Sequence, residues 1–161
     1  MAIEKVREYF RALGMEDRIQ EFDVSSATVA LAAEALGCEQ AHIAKSMAFQ
    51  GKDGGCLMVV AAGDGKIDNR KFKDAFGMKA KMLSADETAQ MVGHAVGGVC
   101  PFAVNDTVLV YLDVSLRRFE TVYPACGSSN SAIGLRCAEL EQYSNAVGWV
   151  DVCKGWQEEN A

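Results

Sequence analysis

Seven consecutive apolar residues, Cys56-Leu57-Met58-Val59-Val60-Ala61-Ala62, constrain this chain more than any other feature. A short apolar run bounded by glycines reads as a strand covered on both faces. The turn string Gly51-Lys52-Asp53-Gly54-Gly55 precedes it, and Ile43-Ala44-Lys45-Ser46-Met47-Ala48-Phe49 precedes the turn. The two runs are expected to form a hairpin, with the second strand central in its sheet. On the first strand Ile43, Met47 and Phe49 share one face, and Lys45 shares it with them. A cation there is either a snorkelling or edge-strand lysine, or a fixed charge for a phosphate or ester oxygen. Alternation alone weighs the two evenly.

Short helices and strands are expected around this hairpin. Ile3, Val6, Phe10 and Leu13 recur at helical spacing, with Gly14 as the stop. A second helix, capped by Ser25 or Ser26, runs to about Leu36 and ends at Gly37; its alanines suit close packing on a sheet. Asp68 or Asn69 opens a helix to about Phe76. Ser84-Ala85-Asp86-Glu87 is a capping box for a helix to about Met91, and 138–143 makes a fifth. Further strands are expected at 79–83, 108–112, 120–123, 131–135 and 149–153, with Asp113 capping a turn over 114–118 and a frayed tail at 157–161. About five helices and seven short strands result, without regular βα alternation. This favours a mixed α/β (α+β) fold: a curled mixed sheet or partly closed barrel with helices outside, rather than a doubly wound sheet.

The 161 residues, 50% of them apolar, are read as one domain over 1–161. Glu4, Lys5 and Arg7 interrupt the start too early for a signal peptide, and no apolar run can span a bilayer. A cytoplasmic protein with no membrane partner is expected. Cys38, Cys56, Cys100, Cys126, Cys137 and Cys153 fit no CxxC or zinc spacing, and only His42 and His94 could join them, so no metal is expected. A net charge of −6 argues against a duplex-coating DNA binder. Residues 66–81 run against that balance: Lys66, Arg70, Lys71, Lys73, Lys79 and Lys81 face only Asp68 and Asp74, a local +4. This stretch is either a solvated helix face with a charged edge strand or a landing surface for a polyanion.

Familiar catalytic signatures do not occur. No GxGxxG opens a helix, Gly63-x-Gly65-Lys66 lacks Walker spacing, and there is no GxSxG. Beside Lys45, the segment Gly97-Gly98-Val99-Cys100-Pro101 survives this filter. Its glycines permit close backbone approach and positive φ, and Pro101 biases Cys100 toward extended geometry. Such a loop can aim amide N–H groups at developing negative charge, or it can be an ordinary glycine-rich turn.

The order of several strings is more specific than any one of them. Ile43-Ala44-Lys45-Ser46, Gly65-Lys66-Ile67-Asp68, Gly93-His94-x-x-Gly97-Gly98-Val99-Cys100-Pro101-Phe102, Tyr111-Leu112-Asp113, Ala125-Cys126-Gly127-Ser128 and Ile133-Gly134-Leu135 follow one another. Together they resemble the YbaK / prolyl-tRNA synthetase editing-domain family over roughly residues 24–154. The resemblance implies hydrolysis, without metal or cofactor, of the ester joining a wrong amino acid to the terminal adenosine of a tRNA. It makes Lys45 the essential lysine, anchoring the terminal phosphate or orienting the ester. It gives the backbone from Gly97 through Gly98, Val99 and Cys100 to Pro101 the task of holding the acyl end and reacting carbonyl. Cys100 then serves through its amide rather than as a nucleophile. Gly127 and Ser128 become the opposite wall, Met47, Val99 and Phe102 shape the pocket, and Gly98→Val is expected to block it. The basic stretch would meet acceptor-stem phosphates.

The expected substrates are cysteinyl-, alanyl- or other small aminoacyl-tRNAs, with tRNA-Pro among the carriers and a partner synthetase as an aid to tRNA choice. A non-catalytic module that binds a tRNA end or a synthetase, and a small-molecule esterase, are the competing readings.

Overall fold

The computed structural model describes residues 2–156; the tail expected at 157–161 lies outside them. In chain order the helices are α1 (Ala2–Ala12), α2 (Val29–Leu36), α3 (Asn69–Phe76), α4 (Ala85–Val92) and α5 (Cys137–Tyr143). The strands are β1 (Ile19–Glu21), β2 (Ile43–Gln50), β3 (Cys56–Ala62), β4 (Lys66–Ile67), β5 (Val108–Asp113), β6 (Thr121–Pro124), β7 (Ser131–Ile133), β8 (Leu135–Arg136), β9 (Gly148–Val150) and β10 (Cys153–Lys154).

β2 and β3 form the expected antiparallel hairpin, in register from Ala44 opposite Ala62 to Gln50 opposite Cys56. All of β3 is buried. Parity divides it: Cys56, Met58, Val60 and Ala62 enter one core, while Leu57, Val59 and Ala61 enter another on the opposite face. The first core takes Val6 and Phe10 from α1 and Leu140 from α5; the second takes Phe49, Phe72 of α3 and Trp156. Complete burial of a ring such as Phe10 or Phe72 contributes about 2 to 3 kcal/mol. Covered on both faces, β3 is also paired on both edges, antiparallel with β2 and parallel with β5. The result is the curled mixed sheet expected, six-stranded and ordered β8-β6-β2-β3-β5-β9, with helices around it.

Local chemistry sets the helix ends. Asp68 caps α3 through the Arg70 and Lys71 N–H groups, and Ser84 with Glu87 forms the capping box of α4. Asp113 caps the 3-10 turn Val114–Arg118 through Ser115 N–H. α2 differs from expectation: Thr28, not Ser25 or Ser26, accepts Leu31 N–H at 3.2 Å. Its Ala32 and Ala33 pack with Ile43, as alanine-rich packing predicts.

Tertiary pairing overrides the sequence pattern at three places. The strand expected at 79–83 reduces to one bridge, Met82 to Phe49, because the chain turns into α4 at Ser84. The strand at 131–135 divides at Gly134, since β7 pairs with β1 and β8 with β6. The strand at 149–153 divides where Val152 N–H donates to buried Asp113 at 2.8 Å, leaving β9 on β5 and β10 on β4. β1 and β4 are too short for periodicity to reveal.

Gly63, at the exit of β3, touches the segment ahead of β2 so closely that a Cβ would lie 2.0 Å from Gln40 O and 2.7 Å from Val29 Cγ1. Gly148 has open space around the same position. Gly63→Ala should therefore lower stability by about 3 kcal/mol, whereas Gly148→Ala should change it by less than about 0.5 kcal/mol. Urea unfolding of the two variants beside the parent checks both; equal midpoints would contradict the packing described.

Candidate active site at the open edge of a strand

The ladder between β2 and β3 decides where the site lies. Leu83 N–H donates to Ala48 O at 3.0 Å, and Gln50 N–H donates to Lys81 O at 2.8 Å. Even-numbered residues of β2 thus direct their backbone groups away from β3, as antiparallel pairing requires. β6 pairs only with Ile43 and Ala44. Between β6 and residues 81–83 the edge of β2 is open, and Ser46 presents its N–H and C=O there. A cavity of about 260 Å³ occupies this place. Residues 44–48 form one side, 26–29 and Ala32 a second, and Gly97 with Val99 a third; Ala125, Ser131 and Ala132 add to the wall. Met82 and Val96 line it while remaining 62% and 65% exposed, which places them at the mouth.

Lys45 is the one lysine or arginine among the lining residues. Its Nζ donates to Gly65 O in the turn after β3. An ammonium has three donors, so two remain. Burial pushes its pKa below the ordinary lysine value; nearby Lys66 acts the same way, and Asp64 and Cys153 partly oppose it. Asp64 is itself held by Arg118 at 2.5 and 3.0 Å. The strand thus supplies a half-buried cation, held at one point and without a direct carboxylate partner among the described residues.

The glycine-rich segment divides between lining and support. Gly97 and Val99 line the cavity, and Gly97 takes φ of +100°. Gly98 is buried and its N–H donates to Ala95 O at 3.0 Å. A Cβ on Gly98 would meet Ser128 N at 2.6 Å and Gly127 C at 2.7 Å. The close approach expected of this glycine is therefore to the Gly127–Ser128 backbone, not to the cavity. Gly127 and Ser128 do not line the cavity; they back the loop that does, while Ser128 Oγ donates to Ser131 Oγ at 2.7 Å. Ser26 N–H donates to Ser129 O at 2.6 Å and ties the third segment to this loop.

Cys100, Pro101 and Phe102 lie behind the lining. Phe102 is wholly buried and stacks edge-on against Phe10 at 4.9 Å, so it belongs to the core and not to the pocket wall. Its carbonyl accepts from His94 Nε2 at 2.7 Å, which puts the ring proton on Nε2. Burial pushes the pKa of His94 below its usual value, and the Phe102 carbonyl partly opposes this. Cys100 has no exposed surface, and burial pushes its thiol up to about 12. Such a thiol is a poor nucleophile. Met47 lines the cavity. Sequence reasoning missed Ser26 and Ser46 as lining residues; Ser26 read as a helix cap, and Ser46 was read only as a neighbour of Lys45.

The basic stretch reaches the cavity at one end, since Lys81 precedes Met82. Arg70, Lys73 and Lys79 line a separate open groove with Asn69 and Ala80. Lys66 and Lys81 are also exposed, whereas Lys71 is tied to Asp151 and Cys153 O, each at 3.1 Å.

This arrangement has relatives. A family model described as an aminoacyl-tRNA editing domain matches residues 24–143. The chain is 50% identical over 157 residues to YwhH of Bacillus subtilis (strain 168), an uncharacterized protein, covering 98% of this chain and 100% of that one. It is 26% identical over 104 residues to EbsC of Enterococcus faecalis (strain ATCC 700802 / V583), named as a candidate Cys-tRNA(Pro)/Cys-tRNA(Cys) deacylase, covering 64% and 63% of the two chains. Among solved structures, a candidate trans-editing enzyme for prolyl tRNA synthetase superposes with a TM-score of 0.85 at 26% identity, over 96% of this chain and 98% of that one.

Two outcomes follow from the packing of the loop. Gly98→Ala should separate the two loops and lower stability by about 2 kcal/mol, read as a shifted unfolding midpoint. A thiol-alkylating reagent should modify half-buried Cys38 in the folded protein and leave Cys100 untouched until denaturant is added, as peptide mass mapping would show; rapid native labelling of Cys100 would contradict its burial.

Proposed function

Because this chain belongs to the aminoacyl-tRNA editing domain family, we propose that it hydrolyses, in trans, the ester between a wrong amino acid and the terminal adenosine of a tRNA. One observation carries the reading: Lys45 and the Gly97 and Val99 backbone converge on a single cavity at the open edge of β2. The chemistry needs little more. The ester is already activated by the neighbouring ribose hydroxyl, so orientation and charge stabilisation matter more than a strong protein nucleophile.

In this reading the two remaining Lys45 donors hold the terminal phosphate or the ester oxygen. Among the described residues the amides of Gly97 and Val99 donate to no protein acceptor, and they suit the oxygen that gains charge as the carbonyl becomes tetrahedral. Water supplies the new carbon–oxygen bond. The ester bond to the ribose breaks, the ribose oxygen takes a proton, and the free amino acid leaves. No step is routed through a metal or a cofactor. Cys100 and Pro101 act through the loop they stiffen.

In this reading the acyl group is small, and Ala32, Ala44, Ala48, Ala125 and Ala132, with Ile43 and Leu83, give it a largely apolar wall. Cysteinyl and alanyl groups fit that description, and the name borne by EbsC adds a cysteinyl group on tRNA(Pro). The groove of Arg70, Lys73 and Lys79, with Lys66 and Lys81, receives acceptor-stem phosphates, and a partner synthetase supplies further choice of tRNA. Residues 1–161 act as one editing domain in the cytoplasm. Among the described residues no helix is long and apolar enough to cross a membrane.

The test is deacylation of a panel of mischarged tRNAs. The parent protein should release the amino acid, and Lys45→Ala should lose at least about 100-fold in kcat/KM while its melting curve shows a retained fold. Binding without turnover would favour a non-catalytic module, and equal turnover of simple esters would favour an esterase. pH gives a second check. Burial disfavours charged Lys45, so the cation is lost on raising pH earlier than from a free lysine. Activity above the spontaneous rate should fall through that lowered pKa; a rate still flat above the ordinary lysine pKa would remove Lys45 from the mechanism.

A further inference from the structure

Five serine and threonine side chains line the cavity: Ser26, Thr28, Ser46, Thr88 and Ser131. Three are committed to the fold. Thr28 Oγ1 caps α2, Thr88 Oγ1 donates to Ser84 O at 2.8 Å, and Ser131 Oγ accepts from Ser128 Oγ at 2.7 Å. Ser26 and Ser46 are not. Each Oγ is shielded from solvent and has no hydrogen-bond partner among the described residues. Ser26 is only 7% exposed as a whole residue. A buried hydroxyl without a partner is unfavourable, and alanine would cost the fold less at either position. Alanine is what β2 uses on either side of Ser46, at Ala44 and Ala48. Two hydroxyls kept at one cavity against this cost point to a ligand.

The chemistry of the cavity narrows the ligand group. The lining holds one cation, Lys45, and no carboxylate, so a second cation such as the α-ammonium of the substrate is disfavoured deep inside. The adenosine is tethered to the rest of the tRNA and must stay at the mouth, beside exposed Met82 and Val96. What reaches the shielded hydroxyls is the side chain of the acyl group. We infer that Ser26 and Ser46 read a hydroxyl on that side chain, so that the preferred acyl group is seryl rather than its isostere alanyl. This rests on the deacylase reading above. Ser46 C=O and N–H, on the open strand edge, offer the same substrate hydroxyl an acceptor and a donor.

A site built around polar groups rejects a ligand that leaves them unpaired far more strongly than an apolar site rejects an added hydroxyl. A thiol is a weaker donor and acceptor than a hydroxyl and satisfies them less well. The experiment compares one tRNA charged with serine, alanine or cysteine, using the full chain. Seryl ester should be hydrolysed about tenfold or more faster in kcat/KM than alanyl, with cysteinyl also below seryl. Ser26→Ala and Ser46→Ala should each shrink the seryl-to-alanyl ratio, and neither should melt earlier than the parent. Alanyl or cysteinyl hydrolysed as fast as seryl overturns the inference and leaves the deacylase reading standing. A ratio that both substitutions leave unchanged also overturns it. Hydrolysis of none of the three is a different result and removes the deacylase reading with it. The ratio measured on the parent protein decides even if a variant does not fold.

Discussion

The pairing of β2 with β3 is the constraint on which the rest of the structure depends. β3 is buried on both faces, so its backbone groups must be satisfied along both edges, and β2 and β5 do this. Once the register is set, so is the parity of every residue on β2. Lys45 falls opposite Ala61, on the face of Met47 and Phe49, and Ser46 directs its amide and carbonyl outward. A slip of one residue would put the lysine on the face of Ala44 and Ala48, toward the larger core. The cation and the open polar edge therefore arise from a single alignment, enforced by an apolar strand that does not itself line the cavity.

The remaining walls come from segments far apart in sequence, and backbone contacts join them. Gly98 touches the Gly127–Ser128 peptide, Ser26 N–H reaches Ser129 O, and Phe22 N–H reaches Asn130 O at 2.8 Å. Leu83, beyond the open edge, is held by Ala48. Peptide groups have few geometries in which they can pair, so such contacts position a lining more narrowly than side-chain packing does. Electrostatics follows the same economy. Asp64 answers Arg118, which lies over the rings of Phe119 and Trp156, and Lys45 is left with a carbonyl instead of a carboxylate.

Much of this was legible in the sequence, for reasons that particular residues illustrate. The apolar run of β3 and its glycine turn announce the hairpin, Ser84 with Glu87 announces α4, and the charge of Lys45 on an apolar strand face singles out the strand that borders the cavity. Local chemistry carries each of these signals. The divided strands at Gly134 and Val152 were not legible, because they depend on partners chosen by the folded sheet. The same holds for Phe102, whose place behind the loop depends on Phe10 arriving from α1. Ser26 looked like a cap because its spacing to α2 allows one; only the backbone path shows that Thr28 occupies the position and leaves the other hydroxyl free. Met82 and Val96 carry no sequence signal, since exposure at a cavity mouth has no periodicity.

The contact of Gly98 with Gly127 and Ser128 involves no side chain on the glycine side, and this separates two problems that most binding sites must solve together. The frame is written in backbone, while the surface of the cavity is written in short side chains such as Ala44, Ala48, Ala125 and Val99. Exchanging a methyl for a larger or more polar group on that wall reshapes the cavity with the loops left where they are. The same partition makes the chain a convenient starting point for laboratory retuning: diversity belongs at the lining positions, and the two touching loops are the part to hold fixed.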